Sequence, residues 1–155
     1  MNATTARALL VGLLVALWVW LSGMARLRVE VWPGIVALGC YFAAGGGLAG
    51  LQKTLIGTLS GVAWVLVAAA VRVAIGGTSI VTALIAGAMV SAIILVARVP
   101  LLGFIAGALA GAGVAWGVGV NTLNEGIRVG IALAVGALLG FAAERVAGAV
   151  AARRS

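Results

Sequence analysis

The sequence predicts an all-α, polytopic membrane bundle, and three observations carry that prediction. Apolar residues fill 65% of the 155 positions and charged residues only 8%, whereas soluble domains run nearer half and a quarter. A folded chain of this size still exposes roughly 30% of its unfolded surface, which ten basic and three acidic side chains cannot coat. The apolar residues also fall into about six runs, most near the 20 residues that a helix needs to cross a hydrocarbon core. Six such spans use about 120 positions, so residues 1–155 read as a single transmembrane domain with no room for a separate soluble one.

The segments follow in order. The first, residues 6–24, is apolar from Ala8 onward apart from Ser22 and carries Trp18 and Trp20 near its end, where indole rings favour the membrane interface. A cleaved signal peptide is the alternative, but the apolar run is long for one and only Arg7 precedes it. A polar break with Arg26, Arg28 and Glu30 leads to the second segment, residues 33–46. This opens at Trp32-Pro33, with proline where a helix start has no use for its missing N–H. It is short and meets Gly45-Gly46-Gly47, so it either continues through the glycines as a bent helix or re-enters as a half-span. A tight turn between two ordinary helices is the plainer alternative.

The third segment, residues 52–72, starts at Gln52, Lys53 and Thr54 and stops at Arg72 and Gly76-Gly77. The fourth, 79–97, ends at Arg98, and the fifth, 100–120, begins at Pro100. Asn121, Thr122, Asn124 and Glu125 then form the most polar loop, and the sixth segment, 126–149, is closed by Arg153-Arg154.

The net charge of +7 does not indicate nucleic acid, because the basic residues are scattered almost one per connection and form no stripe. They read as topology. Under the positive-inside rule, six crossings put Arg7, Lys53, Arg98, Arg145, Arg153 and Arg154 in the cytoplasm and Arg26, Arg28, Arg72 and Arg128 outside, with a cytoplasmic C-terminus. The halves also compare as a 3+3 repeat. Arg28 and Arg98 introduce the second and fifth segments through prolines, and Lys53 precedes Gly61 by eight residues as Arg128 precedes Gly136. Three crossings per half would set the halves in opposite orientations, the inverted plan of many transporters.

Reactive groups are scarce: no His, no Asp, and only Glu30, Glu125, Glu144 and Cys40. Catalytic triads, paired carboxylates and zinc clusters need groups that are missing, so the expectation is a protein that is not an enzyme and holds no metal and no cofactor. Cys40 lies in an apolar run and reads as a small core residue.

What remains is glycine. Gly57 and Gly61, then Gly103, Gly107 and Gly111, then Gly136 and Gly140 recur at intervals of four. In lipid, close approach at small residues supplies helix packing, so these predict three seams. Glu144 shares the face of Gly136 and Gly140. A carboxylate near the membrane interior is a site candidate, able to carry a coupling proton; pairing with Arg145 or with a base on another helix is the plainer reading. The block from Cys40 through Tyr41 and Phe42 to Gly45, Gly46 and Gly47 predicts exposed backbone beside an aromatic wall, a substrate path to which Lys53 would add a cation. Otherwise Lys53, Arg72 and Arg128 serve as interfacial anchors that snorkel.

Trp32-Pro33, Cys40 to Gly47, Gly50-Leu51-Gln52-Lys53-Thr54 and Ser60-Gly61-Val62-Ala63-Trp64 resemble the YcdZ-like family of small bacterial inner-membrane proteins, which has no assigned function. Pro100, Gly103-Phe104-Ile105-Ala106-Gly107 and Gly136-Ala137-Leu138-Leu139-Gly140-Phe141 look like its C-terminal half. The resemblance implies the bacterial inner membrane and brings no substrate. A second similarity, to the membrane part of aromatic-acid and fusaric-acid exporters, rests on Lys53 before Gly57-Thr58-Leu59-Ser60-Gly61, although this chain lacks the soluble domains of those exporters.

The expected function is therefore a small-solute permease or channel in the lipid bilayer, a homo-oligomer because one small bundle has little room for a pore. The alternatives are a non-transporting scaffold or partner subunit, and an exporter of small organic acids.

Overall fold

The computed structural model describes residues 3–24 and 31–152. Six α-helices follow one another: α1 (Ala3–Met24), α2 (Val31–Ala43), α3 (Gly47–Ile75), α4 (Ser79–Val96), α5 (Ile105–Val118) and α6 (Leu123–Ala152), with a 3-10 turn at Pro100–Leu102 ahead of α5. Among the described residues there is no strand. The all-helical bundle read from hydropathy is the fold. Arg26, Arg28, Glu30, Arg153 and Arg154 lie outside the described residues.

Helix lengths repeat as medium, short, long: 22, 13 and 29 residues in the first half and 18, 14 and 30 in the second. The helices α3, α4 and α6 are long and apolar enough to cross a membrane. At 1.5 Å per residue α3 and α6 rise about 43–45 Å, more than the roughly 30 Å hydrocarbon core, while α2 and α5 rise only about 20 Å.

Several boundaries differ from the sequence reading, among them the start of α6 at Leu123, which takes Asn124 and Glu125 out of the expected loop and into the helix. The second segment is short, as expected, but it neither bends through the glycines nor breaks among them. Its helix ends at Ala43, and the next begins at Gly47, five residues before Gln52. The fifth segment is short as well. Val99 is extended ahead of Pro100 (ψ 122°), the chain then makes a 3-10 turn, and Phe104 (φ −85°, ψ 72°) leaves helical geometry before α5 opens; the residue before a proline is driven out of the α region.

The halves are interleaved. The dominant pairings are α3 on α5, α2 on α6 and α3 on α6. Exchanging the halves turns the first into the second and leaves the third unchanged, as a two-fold relation requires. The peripheral helices obey the same exchange, α1 packing on α6 and α4 on α3. Of the three long spans α4 is the least covered, with Ile80 74% and Leu84 69% exposed.

The predicted glycine seams are two in number, and both join the halves. In the α3–α5 seam, a Cβ added at Gly61 would lie 2.0 Å from the Ala108 carbonyl oxygen, one at Gly111 would lie 2.0 Å from that of Thr58, and Gly57 faces Gly107. In the α2–α6 seam, a Cβ at Gly136 would lie 1.9 Å from the Gly34 carbonyl oxygen, and Gly140 backs onto Tyr41 and Leu38. Gly103 belongs to neither. It caps the 3-10 turn, and a Cβ added there would lie nearest the carbonyl oxygens of Pro100, Ala97 and Val99, at 3.4–3.9 Å. Between the seams the core is filled by small and branched residues, among them Val62, Val65, Ala112, Ala115 and Leu133.

The start of α6 is fixed by a capping box. The Glu125 carboxylate accepts from the Thr122 N–H (3.0 Å), and Thr122 Oγ1 accepts from the Glu125 N–H (3.4 Å).

Gly136→Ala should destabilise the bundle by about 1–3 kcal/mol through overpacking. Gly87→Ala, with open space at its Cβ, should be neutral or stabilising by up to about 1 kcal/mol from helix propensity. Melting of the detergent-purified variants, followed by gel filtration, separates the two.

Candidate functional site

The turn between α2 and α3 is built from backbone. The Ala44 N–H donates to the Cys40 carbonyl (2.8 Å), that of Gly45 to Phe42 (3.1 Å) and that of Gly46 to Tyr41 (3.2 Å). Gly45, Gly46 and Gly47 take φ values of +96°, +70° and +63°, a left-handed path that residues with a Cβ adopt only at a cost. The Gly47 amide opens α3 and belongs to the first turn, whose N–H groups have no partner within the helix.

That amide is satisfied from the other half of the molecule. Gly47 N–H donates to Glu144 Oε2 of α6 at 2.8 Å, and the Tyr41 hydroxyl donates to the same oxygen. A carboxylate at a helix N-terminus is favoured by the aligned peptide dipoles. Tyr41 is fully buried, and its ring lies against Gly140, where a Cβ would come within 2.6 Å of Cδ1. Gly140 stands one turn before Glu144 on the same face, so the missing side chain lets the tyrosine reach the carboxylate. Gly46 is constrained too, since a Cβ there would sit 2.7 Å from Glu144 Oε2.

The structure thus brings together Tyr41, Gly46, Gly47 and Glu144 of the expected path. Phe42 stands edge-on to Tyr41, ring centroids 5.2 Å apart at 69°, and is partly exposed. Gly45 shapes the turn with open space around it. Lys53 is not brought in: it is exposed on α3 and makes no hydrogen bond or ion pair among the described residues. Arg145 turns away from its neighbour Glu144 and lies over the Phe141 ring, 5.0 Å from its centroid.

A second polar contact occupies the corresponding place in the other half. Arg72, near the end of α3, donates to Asn121 Oδ1 in the α5–α6 turn, and α5 ends on Gly119 at φ +79°, as α2 gives way to Gly45. Each long helix therefore reaches across to the short-to-long turn of the opposite half, one with a carboxylate and the other with a guanidinium. Sequence reading placed Arg72 among the anchors. It did not pair Arg72 with Asn121, which stood only as part of the polar loop.

Fold and contacts define a helical membrane protein of two interleaved three-helix halves, cross-tied at both turns. The chain belongs to the family described as "Protein of unknown function (DUF1097)", whose model matches residues 8–148. No curated protein and no solved structure matches it.

Two substitutions isolate the carboxylate contact. Gly45→Ala and Gly46→Ala both place a side chain at positive φ, but only the second meets Glu144, so Gly46→Ala should lower the melting temperature further. Tyr41→Phe, which deletes one hydrogen bond to the carboxylate, should cost about 1–2 kcal/mol, and the loss in melting temperature should shrink when it is made in the Glu144→Gln background, because contacting residues are not additive.

Proposed function

We propose that the protein is a small-solute permease or channel of the bacterial inner membrane, with the Glu144 tie as its moving contact. The observation that carries this reading is that a single carboxylate of one half holds both the Tyr41 hydroxyl and the Gly47 amide of the other. Rocking of one half against the other around a midplane is the way inverted repeats alternate access, and a contact between halves at a turn of three glycines is suited to open and close with it. When Glu144 takes a proton it loses the charge that favours its place at the start of α3. Tyr41 and the Gly47 amide are then released toward a solute, and the proton can be the coupling ion.

Both seams are closed at backbone distance, so a solute path through the resting bundle is not a fixed central pore. It forms when the halves rock, or between copies in a homo-oligomer. A cytoplasmic C-terminus, the orientation favoured by the basic residues, puts Glu144 and the α2–α3 turn on the cytoplasmic side. The YcdZ-like resemblance supports the bacterial inner membrane. The exporter similarity would make the cargo a small aromatic or organic acid, but its Lys53 stands apart from the Glu144 contact.

The closeness of the seams also favours a second reading, a non-transporting scaffold or partner subunit. Flux into proteoliposomes across a panel of small neutral and anionic solutes, with and without a pH gradient, separates them. Transport is expected with at least one solute, and Glu144→Gln should abolish its pH dependence while the gel-filtration profile is kept. No flux from folded protein with any of them, together with a co-purifying partner, would favour the scaffold.

A further inference from the structure

At the opposite turn, a partly open pocket of about 290 Å³ lies between α3, α4 and the end of α5. Its walls are mostly apolar, among them Val65, Ala69 and Ile85, and its polar lining includes Arg72, Thr82 and Asn121 with Trp116 alongside. A cavity of about 150 Å³ suffices for benzene, so this one has space for a ligand of roughly twice that volume.

The charge in it is available. A guanidinium carries five N–H donors, and Asn121 Oδ1 takes one of them. The Asn121 amide is committed elsewhere, donating through Nδ2 to the Gly119 carbonyl (2.6 Å). The Glu125 carboxylate, close in sequence, is engaged by the backbone N–H groups of Asn121 (2.8 Å) and Thr122 (3.0 Å), and among the described residues Arg72 forms no ion pair. A cation on the wall of a largely apolar pocket retains donors that match a carboxylate or phosphate oxygen, and the single positive charge in the lining sets the ligand charge at one.

We propose that this cavity is a binding site for an amphipathic monoanion, its charged head on Arg72 and its apolar body between Val65, Ala69, Ile85 and Trp116. A free organic acid and the phosphate of an anionic lipid share this chemistry. The site stands independently of transport, because binding alone tests it.

Two arms distinguish the sources. The full-length protein in phosphatidylcholine nanodiscs is titrated with labelled hexanoate, with hexanol as competitor. In parallel, native mass spectrometry of protein from mixed phosphatidylcholine and phosphatidylglycerol micelles measures retention of the anionic lipid. Saturable hexanoate binding is expected, weakened at least about tenfold by Arg72→Gln and lost in Ala69→Leu, which fills the cavity without touching the charge and serves alone if Arg72→Gln fails to fold. Selective, Arg72-dependent retention of phosphatidylglycerol without hexanoate binding identifies the lipid as the source and supports the same site. Hexanol competing as well as unlabelled hexanoate, an Arg72→Gln variant binding like wild type, or neither ligand binding would overturn it.

Discussion

Lipid removes the usual reason for helices to associate. Apolar side chains gain little by leaving hydrocarbon for one another, and contact has to come from backbones that touch. Here the touching points are Gly136 with the Gly34 backbone, and Gly61 and Gly111 with the α5 and α3 backbones, where a Cβ added at Gly136, Gly61 or Gly111 would come within about 2 Å of a carbonyl oxygen. Both seams run between halves, and neither lies within one. Everything else hangs on that registration. The short helices α2 and α5 are held by the long helices across from them, and the polar turns at their ends lie within reach of a side chain from the opposite half.

Each reach uses a different charge. At one turn Glu144 ends an acceptor-poor stretch of backbone by taking the Gly47 amide and the Tyr41 hydroxyl. At the other, Arg72 finds an amide oxygen on Asn121 and keeps most of its donors. The architecture is near-symmetric but the chemistry is not. The carboxylate holds donors from two parts of the opposite half, in keeping with a contact that must be broken to move, and the guanidinium lines open volume, in keeping with a site that waits for something to bind.

Much of this was legible in the sequence, and the remainder was hidden for definite physical reasons. The interval of four among Gly57, Gly61, Gly107, Gly111, Gly136 and Gly140 announces a small-residue face on each helix, but an interval says nothing of which face meets which. Two runs proved to be the two sides of one seam. Gly34 has no companion at that interval, so α2 gave no sign that it was the partner of α6. Gly103 keeps the spacing yet caps a 3-10 turn ahead of α5, which periodicity alone does not separate from an α-helix. The Tyr41 to Gly47 block and Glu144 stood out because each is locally costly in a membrane. Their meeting depends on a fold that joins positions about a hundred residues apart, and Lys53, equally conspicuous in sequence, faces away. Thr122 and Glu125 have the spacing of a capping box, but their polarity made them read as loop, and α6 begins at Leu123, three residues earlier than expected.

The interleaving also governs how the protein can be made. As the nascent chain leaves the ribosome, α1, α2 and α3 emerge with the partner surfaces of α2 and α3 still unsynthesised. The α3 face is covered once α5 follows. The face of α2, a helix too short to cross the bilayer unaided, stays open until α6 has been inserted. Because the partner surfaces of α2 and α3 lie on α6 and α5, neither half can bury its seam face before the other half has been made.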